Sequence, residues 1–304
     1  MRWSISAHNT FRRCQRQYLF GQIMASHNAR DPERREAFLL KQLQSLPAWQ
    51  GNLVHKGIQQ YVVPWLANRS IPNRDDVIRQ TLAMADRQIA FSSSCQYRVD
   101  GQSKQSAGDS YCALYEHEYG IDITPERLHE VHETVSQCLC NLFDQQDFLD
   151  QLRHHVGHRA EFLTDFRVGG TRVVVQLDLL CFKEGRTPVI VDWKVAGSES
   201  SDYSRQVMAY ALSLLRSPTC ANMQVDGISV YEVNLLKNQI KPHIVTENKI
   251  VKTENFIFQS IEEMNSLAGD GRFESQHIED YELARSAKTC IYCNFRKLCM
   301  RLIK

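Results

Sequence analysis

Apolar residues recur at helical spacing through much of the first half of the chain. The pattern predicts helices over 4–20, 33–46, 50–66, 74–91 and 125–152, with Ser4 or Ser6 and Thr124-Pro125 at two of the starts. Residues 92–110 hold three consecutive serines, two glycines and few apolar side chains, and read as a loop or weakly ordered insertion. Near residue 159 the period changes. Stretches 159–168 and 171–183, rich in Val, Leu and Phe, are strand-like, and Gly169-Gly170 between them is a two-residue hairpin turn. A third strand, Pro188 to Val195, follows the turn Glu184-Gly185-Arg186. A helix over 202–216, strands over 226–236 and 239–246, and a helix over 253–268 complete the series. This order gives an α/β class, a small mixed sheet with helices packed on it.

The 304 residues, 43% hydrophobic and 23% charged, suffice for one large domain or two small ones. Arg2, Arg12, Arg13 and Arg16 punctuate the opening, so no signal peptide is expected, and no apolar run approaches the roughly 18 residues of a membrane span. The expected location is the cytoplasm, where ten cysteines would be thiols or metal ligands rather than disulfides. A net charge of +1 does not point to a polyanionic partner, but its distribution is uneven. Residues 1–20 carry four arginines and no acid, and residues 285–304 carry Arg285, Lys288, Arg296, Lys297, Arg301 and Lys304, again with no acid. Residues 109–150 set ten acids against Arg127 alone, a stretch expected to be a solvated face lying away from the basic ends.

Candidate chemistry begins with two acids in apolar strands, Asp178 in Val-Val-Gln-Leu-Asp-Leu-Leu and Asp192 in Val-Ile-Val-Asp-Trp-Lys. A buried unpaired carboxylate costs several kcal/mol, so each calls for a cation, and hard oxygen donors suit Mg²⁺ or Mn²⁺. Side-chain alternation puts Lys194 on the face of Asp192, where an ammonium can offset charge on a scissile phosphate; a strand-end acid or a buried Asp192–Lys194 pair is the plainer alternative. Gln206 and Tyr210 share a helix face, and His55 in Gly51-Asn-Leu-Val-His sits on a helix that can reach the sheet. Cys290, Cys293 and Cys299 fall within ten residues, with Cys14 a fourth thiol from the other end, and such clustering indicates metal, iron–sulfur or zinc. Cys95, Cys112, Cys138, Cys140, Cys181 and Cys220 lack comparable spacing.

Taken in order, Ser6-x7-Cys14, Gly51-x3-His55, Asp178, Asp192-x-Lys194, Gln206-x3-Tyr210 and the terminal cysteine trio resemble the RecB-type PD-(D/E)XK nucleases that carry a four-cysteine iron–sulfur cluster, a group similar to CRISPR-associated iron–sulfur exonucleases and recombination helicase–nuclease domains. The resemblance implies a restriction-endonuclease-like mixed β-sheet flanked by helices. It implies one nuclease domain over 1–304, with a helical insertion at 67–156 and an iron–sulfur lobe from residues 1–20 and 285–304. It implies metal held by His55, Asp178, Asp192 and the Trp193 carbonyl, catalysis by Lys194 with Asp178 and Asp192, and positioning by Gln206 and Tyr210. Cys14, Cys290, Cys293 and Cys299 would bind a [4Fe–4S] cluster. The expected activity is Mg²⁺- or Mn²⁺-dependent hydrolysis of DNA, at single-stranded ends, and the alternative is a non-catalytic DNA-binding subunit stabilised by iron–sulfur or zinc. Arg13, Arg16, Arg296 and Lys297 would draw the DNA, Trp193 or Tyr210 would stack on bases, and the acidic insertion is a candidate surface for a protein partner. This chain departs from the family pattern in having Asp192 where many relatives have Glu and Leu177 where the signature has proline. Glu161, on the first predicted strand, is either a further acid near the site or a surface position.

Overall fold

The computed structural model describes residues 2–183, 187–197, 203–217, 223–269 and 271–302. The expected turn at Glu184-Gly185-Arg186, the first residue of the 202–216 helix, Cys220 and Lys304 lie outside them. A six-stranded mixed sheet forms the centre, from β1 (Arg2–Trp3), β2 (Val156–Val168), β3 (Thr171–Phe182), β4 (Pro188–Lys194), β5 (Ser229–Asn234) and β6 (Gln239–His243). The hairpin β2/β3 is antiparallel through Gly169 and Gly170, both with positive φ, as a tight turn between right-twisted strands requires. Along its other edge β3 pairs β1 in parallel at Arg172 and Val173, and β4 antiparallel from Leu179 to Phe182. No strand among the described residues pairs that edge between Val174 and Asp178. β4 then pairs β5 in parallel, and β5 pairs β6 antiparallel.

Helices cover both faces. On one, Ile5–Arg13, Tyr203–Leu215 and Glu247–Ala268 bury Phe11, Met208, Leu212, Ile257 and Ile261 against Val173, Leu177, Ile190 and Val230. On the other, Leu46–Tyr61, Arg74–Ser93, Pro125–Asp144 and Gln146–His154 cover Leu179, Val189, Val191, Trp193 and Val233. The acidic middle of the chain is therefore a packed layer of the fold. Predicted helix 4–20 breaks at Cys14, which is extended at φ −163° and caps the short helix Gln15–Tyr18 with its sulfur; predicted 125–152 breaks at Gln145. β1 had no signal in the periodicity, being two residues long.

Residues 92–110, expected to be a loop or a weakly ordered insertion, are a loop built of short, packed turns. The preceding helix runs on to Ser93, Tyr97 is buried, and Ser103 and Ser106 form a reciprocal capping box around the turn Lys104–Ala107. The acidic stretch does not lie away from the basic C-terminus. Tyr115 and Tyr119 donate to the Ile291 and Asn294 carbonyls, and Lys297 donates to the Glu118 carbonyl at 2.6 Å. Buried apolar surface, from Phe20, Leu40, Tyr97, Tyr111 and Phe295, draws the segment there despite its charge.

The helix Leu46–Tyr61 is seated by Gly57. A β-carbon there would stand 2.5 Å from Thr81 Oγ1, 3.0 Å from Cγ2 and 3.3 Å from Cβ, too close for any rotation of Thr81 to relieve. Gly57→Ala gains ~1 kcal/mol of helix propensity but overpacks a fully buried contact. We expect a net loss of about 1–2 kcal/mol in chemical denaturation, and partial recovery in Gly57→Ala/Thr81→Ala.

Candidate active site and cysteine cluster

Asp178 stands where β3 and β4 part. The ladder ends at Leu179–Val191, and the Trp193 N–H, left without a strand partner on that side, donates to Asp178 Oδ2 at 2.8 Å. The left-handed backbone of Glu161 (φ 50°) marks the facing position on β2, between the paired residues Ala160 and Phe162. Such a conformation is costly for a residue with a β-carbon and recurs at functional sites. Gln176 Nε2 donates to the Glu161 carboxylate. His55 reaches in from the helix Leu46–Tyr61, its Nδ1 3.6 Å from Asp178 Oδ2, and its ring also bonds the Trp193 backbone. One ligand atom each from His55, Glu161 and Asp178 lie within 4.8 Å of one another. They open into a cleft of about 920 Å³, lined also by Ser6, Lys56, Lys104, Tyr111, Gln206 and Tyr210.

Asp192, fully buried, faces the helix Tyr203–Leu215. Lys194 Nζ lies 2.6 Å from its Oδ2, Tyr210 donates to its Oδ1 at 3.3 Å, and Gln206 Nε2 approaches Oδ1 at 3.4 Å while its Oε1 accepts from Lys194. Gln206 also bonds the Tyr210 hydroxyl. The spacing of four on one helix face thus joins both residues to the Asp192–Lys194 pair. Lys194 further lies 4.7 Å from the centroid of the Tyr203 ring, a contact absent from the sequence argument because it depends on where the helix crosses β4.

Electrostatically the site is short of positive charge. Burial, then the charge of Asp192, holds the Asp178 carboxyl well above the usual carboxylate range; burial alone lifts Glu161, and burial lifts Asp192 against the pull of Lys194. His55 is pushed down to about 4 by burial and by Lys194, so it is neutral at pH 7 with a lone pair to offer. Three carboxylates therefore face one ammonium. Two carboxylates and a neutral imidazole form a donor set that fits a divalent cation, which would supply the missing charge. Of the ligands expected from the sequence, His55 and Asp178 are in this group, Glu161 joins them, and Asp192 is turned toward Lys194. Neither expected stacking residue presents a face to the cleft: Trp193 is 2% exposed and packs edge-on to Phe148, and Tyr210 is 4% exposed.

Cys14, Cys290, Cys293 and Cys299 line one apolar cavity of about 260 Å³, closed by Phe20, Leu283, Ile291 and Met300. Burial pushes the Cys293 thiol up to about 11, with a further push from the other three cysteines, and Cys299 rises for like reasons. Crowded thiolates in an apolar pocket favour a shared soft cation, so the set fits a four-cysteine metal centre. Of the surrounding basic residues, Arg16 donates to the Tyr281 carbonyl, Arg13 to Gln17 and Arg296 to the Ile291 carbonyl, while Lys297 pairs with Glu118.

No helix among the described residues is long and apolar enough to cross a membrane. Solved structures similar to the chain include a candidate exonuclease from Eubacterium rectale, 10% identical over 88% of this chain and 92% of that one, with a TM-score of 0.39. SSO0001 is 14% identical over 61% of this chain and 78% of that one, with a TM-score of 0.29. The protein VC1899 from Vibrio cholerae is 12% identical over 76% of this chain and 58% of that one, with a TM-score of 0.25. No curated protein matches the chain significantly. The family model of the PD-(D/E)XK nuclease superfamily matches residues 2–300, nearly the full length, and the chain belongs to that superfamily.

Proposed function

We propose that the protein is a Mg²⁺- or Mn²⁺-dependent deoxyribonuclease, acting as an exonuclease on single-stranded DNA ends in repair, recombination or defence. The observation that carries this is the meeting of His55, Glu161 and Asp178 in an open cleft beside the Asp192–Lys194 pair. A divalent ion supplies Lewis acidity toward a phosphoryl oxygen and charge for the leaving oxygen. His55, Glu161 and Asp178 would hold it, with Asp192 and the Trp193 carbonyl beside them. Lys194, steered by Asp192, Gln206 and the Tyr203 ring, places its ammonium where charge develops on the phosphate. Tyr210, whose hydroxyl is held well above its usual pKa by burial and by Asp192, stays protonated and keeps donating to Asp192.

The four cysteines would hold a [4Fe–4S] cluster, a structural tie between the ends of a single nuclease domain in which 67–156 is the helical insertion. The domain reading is supported by the insertion's shared core with the sheet.

The test is digestion of end-labelled single- and double-stranded DNA by protein purified without oxygen, with Mg²⁺ or Mn²⁺ and with EDTA. Stepwise shortening of the single strand from an end, absent in EDTA, is the expected result. Intact DNA with both ions would overturn the proposal.

A further inference from the structure

Lys56 and Lys104 line the cleft that holds His55, Glu161 and Asp178, the first from the helix that bears His55, the second from the turn Lys104–Ala107 of the insertion. Among the described residues no carboxylate lies within ion-pair distance of either, nor of Lys41 or Arg2 nearby. Several other basic side chains of the insertion and the C-terminus do find acids: Arg98 holds Glu36 and Glu118, Arg74 holds Asp75, and Lys297 lies by Glu118. The four unpaired cations also crowd each other. The Lys41 ammonium is lowered by burial and then by the charges of Arg2 and Lys104, and that of Lys104 by burial and then by Lys56. Glu161, which accepts from Gln176, and Asp178, which accepts from the Trp193 N–H, lie beyond ion-pair distance of them. Like charges such as Lys56 and Lys104 lining one cleft without a carboxylate partner repel one another and are relieved by a polyanion, whose released counterions add to binding.

We propose that Lys56 and Lys104, with Lys41 and Arg2 beside them, hold the phosphates of the DNA strand entering the cleft, so that the insertion supplies one wall of the substrate site. This rests on the nuclease function proposed for the same cleft. It also adds phosphate contacts on the cleft side, apart from the cysteine lobe, where Lys297 shares Glu118 with Arg98. The turn at 103–107, fixed by its capping box, is then a binding element.

The experiment measures the affinity of a labelled single-stranded oligonucleotide in EDTA against salt concentration. The variants are Lys41→Gln/Lys56→Gln/Lys104→Gln and, as an equal change of charge outside the cleft, Lys241→Gln/Lys249→Gln/Lys252→Gln. With roughly 0.7 of log–log slope per single-strand phosphate contact, the first variant should lose about two units of slope and bind about tenfold or more weakly at low salt. The second should stay near wild type in binding, and neither should melt below the wild type, since the lysines at 41 and 104 are crowded and partly buried charges. An unchanged slope in the first variant, or an equal loss in the second, overturns the proposal. If the wild type cleaves no DNA yet binds it through these lysines, the nuclease function fails and the binding wall stands. If it cleaves normally with an unchanged slope in the first variant, the reverse holds.

Discussion

Asp178→Asn is expected to lower Mn²⁺-dependent DNA cleavage by about 10³-fold or more while making the metal-free protein more stable, because the same charge that holds the ion burdens the empty fold. The carboxyl is buried and faces Asp192 and Glu161, so its folded pKa lies well above the ordinary 3.8. A raised acid binds its proton more tightly folded than unfolded. Its contribution is therefore fully present below pH 3.8 and is lost as pH rises through the folded value. Asn is spared that loss, and its side-chain oxygen can still accept the Trp193 N–H. The stability gap should widen with rising pH from about 4 upward. Glu161 and Asp192 add to the wild-type slope with the same sign, whereas His55, lowered to about 4, opposes it between that value and 6.5. A divalent ion at 100 times its dissociation constant should stabilise the wild type by about 2.7 kcal/mol and Asp178→Asn far less. The measurements are melting temperature against pH with EDTA and with Mn²⁺, and cleavage of end-labelled DNA. Retained cleavage, or a metal-free variant less stable than wild type at pH 8, would remove Asp178 from the role assigned to it.

The second large effect concerns Cys14→Ala. Wild-type protein purified without oxygen should be brown with about four iron and four sulfide per chain, and the variant should lose most of both. Cys14 closes a loop spanning nearly the whole chain to Cys290, a constraint on the unfolded state that a loop-closure model sets at about 5 kcal/mol. With the metal bonds lost as well, a fall of ~10 °C or more in melting temperature is expected. Cys95→Ala, at an exposed position outside the cavity, serves as the control and should leave the iron and sulfide content unchanged. Stoichiometric zinc without iron or sulfide would replace the cluster by a zinc centre. Wild-type iron in Cys14→Ala would separate Cys14 from the metal altogether.

Glu161 shows how near a sequence argument can come without closing. Gly169-Gly170 was legible as a two-residue turn, and counting back along the two strands from it puts Glu161 opposite Asp178. The register was available, but strand alternation alone could not tell which face of the hairpin was covered, and so left the position as either site or surface. For residues 92–110 the loop was legible, but its packing was not. Low apolar content predicts disorder when a segment must stabilise itself, whereas here Tyr97 is buried against helices more than fifty residues away in the chain.

By itself the sequence determined the element order from residue 159 to 268, the acids in apolar strands, the helical face shared by Gln206 and Tyr210, and the clustering of three cysteines, but not the helices Ala287–Ile291 and Arg296–Leu302. The features so determined are local, fixed by periods of two and 3.6 and by turn chemistry within a few residues. Only the tertiary structure decided that β1 and β4 share one edge of β3 and part at Asp178, that Tyr203 lies by Lys194, that Tyr115, Glu118 and Tyr119 meet the C-terminal residues, and that the insertion delivers Lys104 to the cleft. Each depends on which apolar faces meet across long sequence separations, and burial is set by shape and total area rather than by any neighbouring residue.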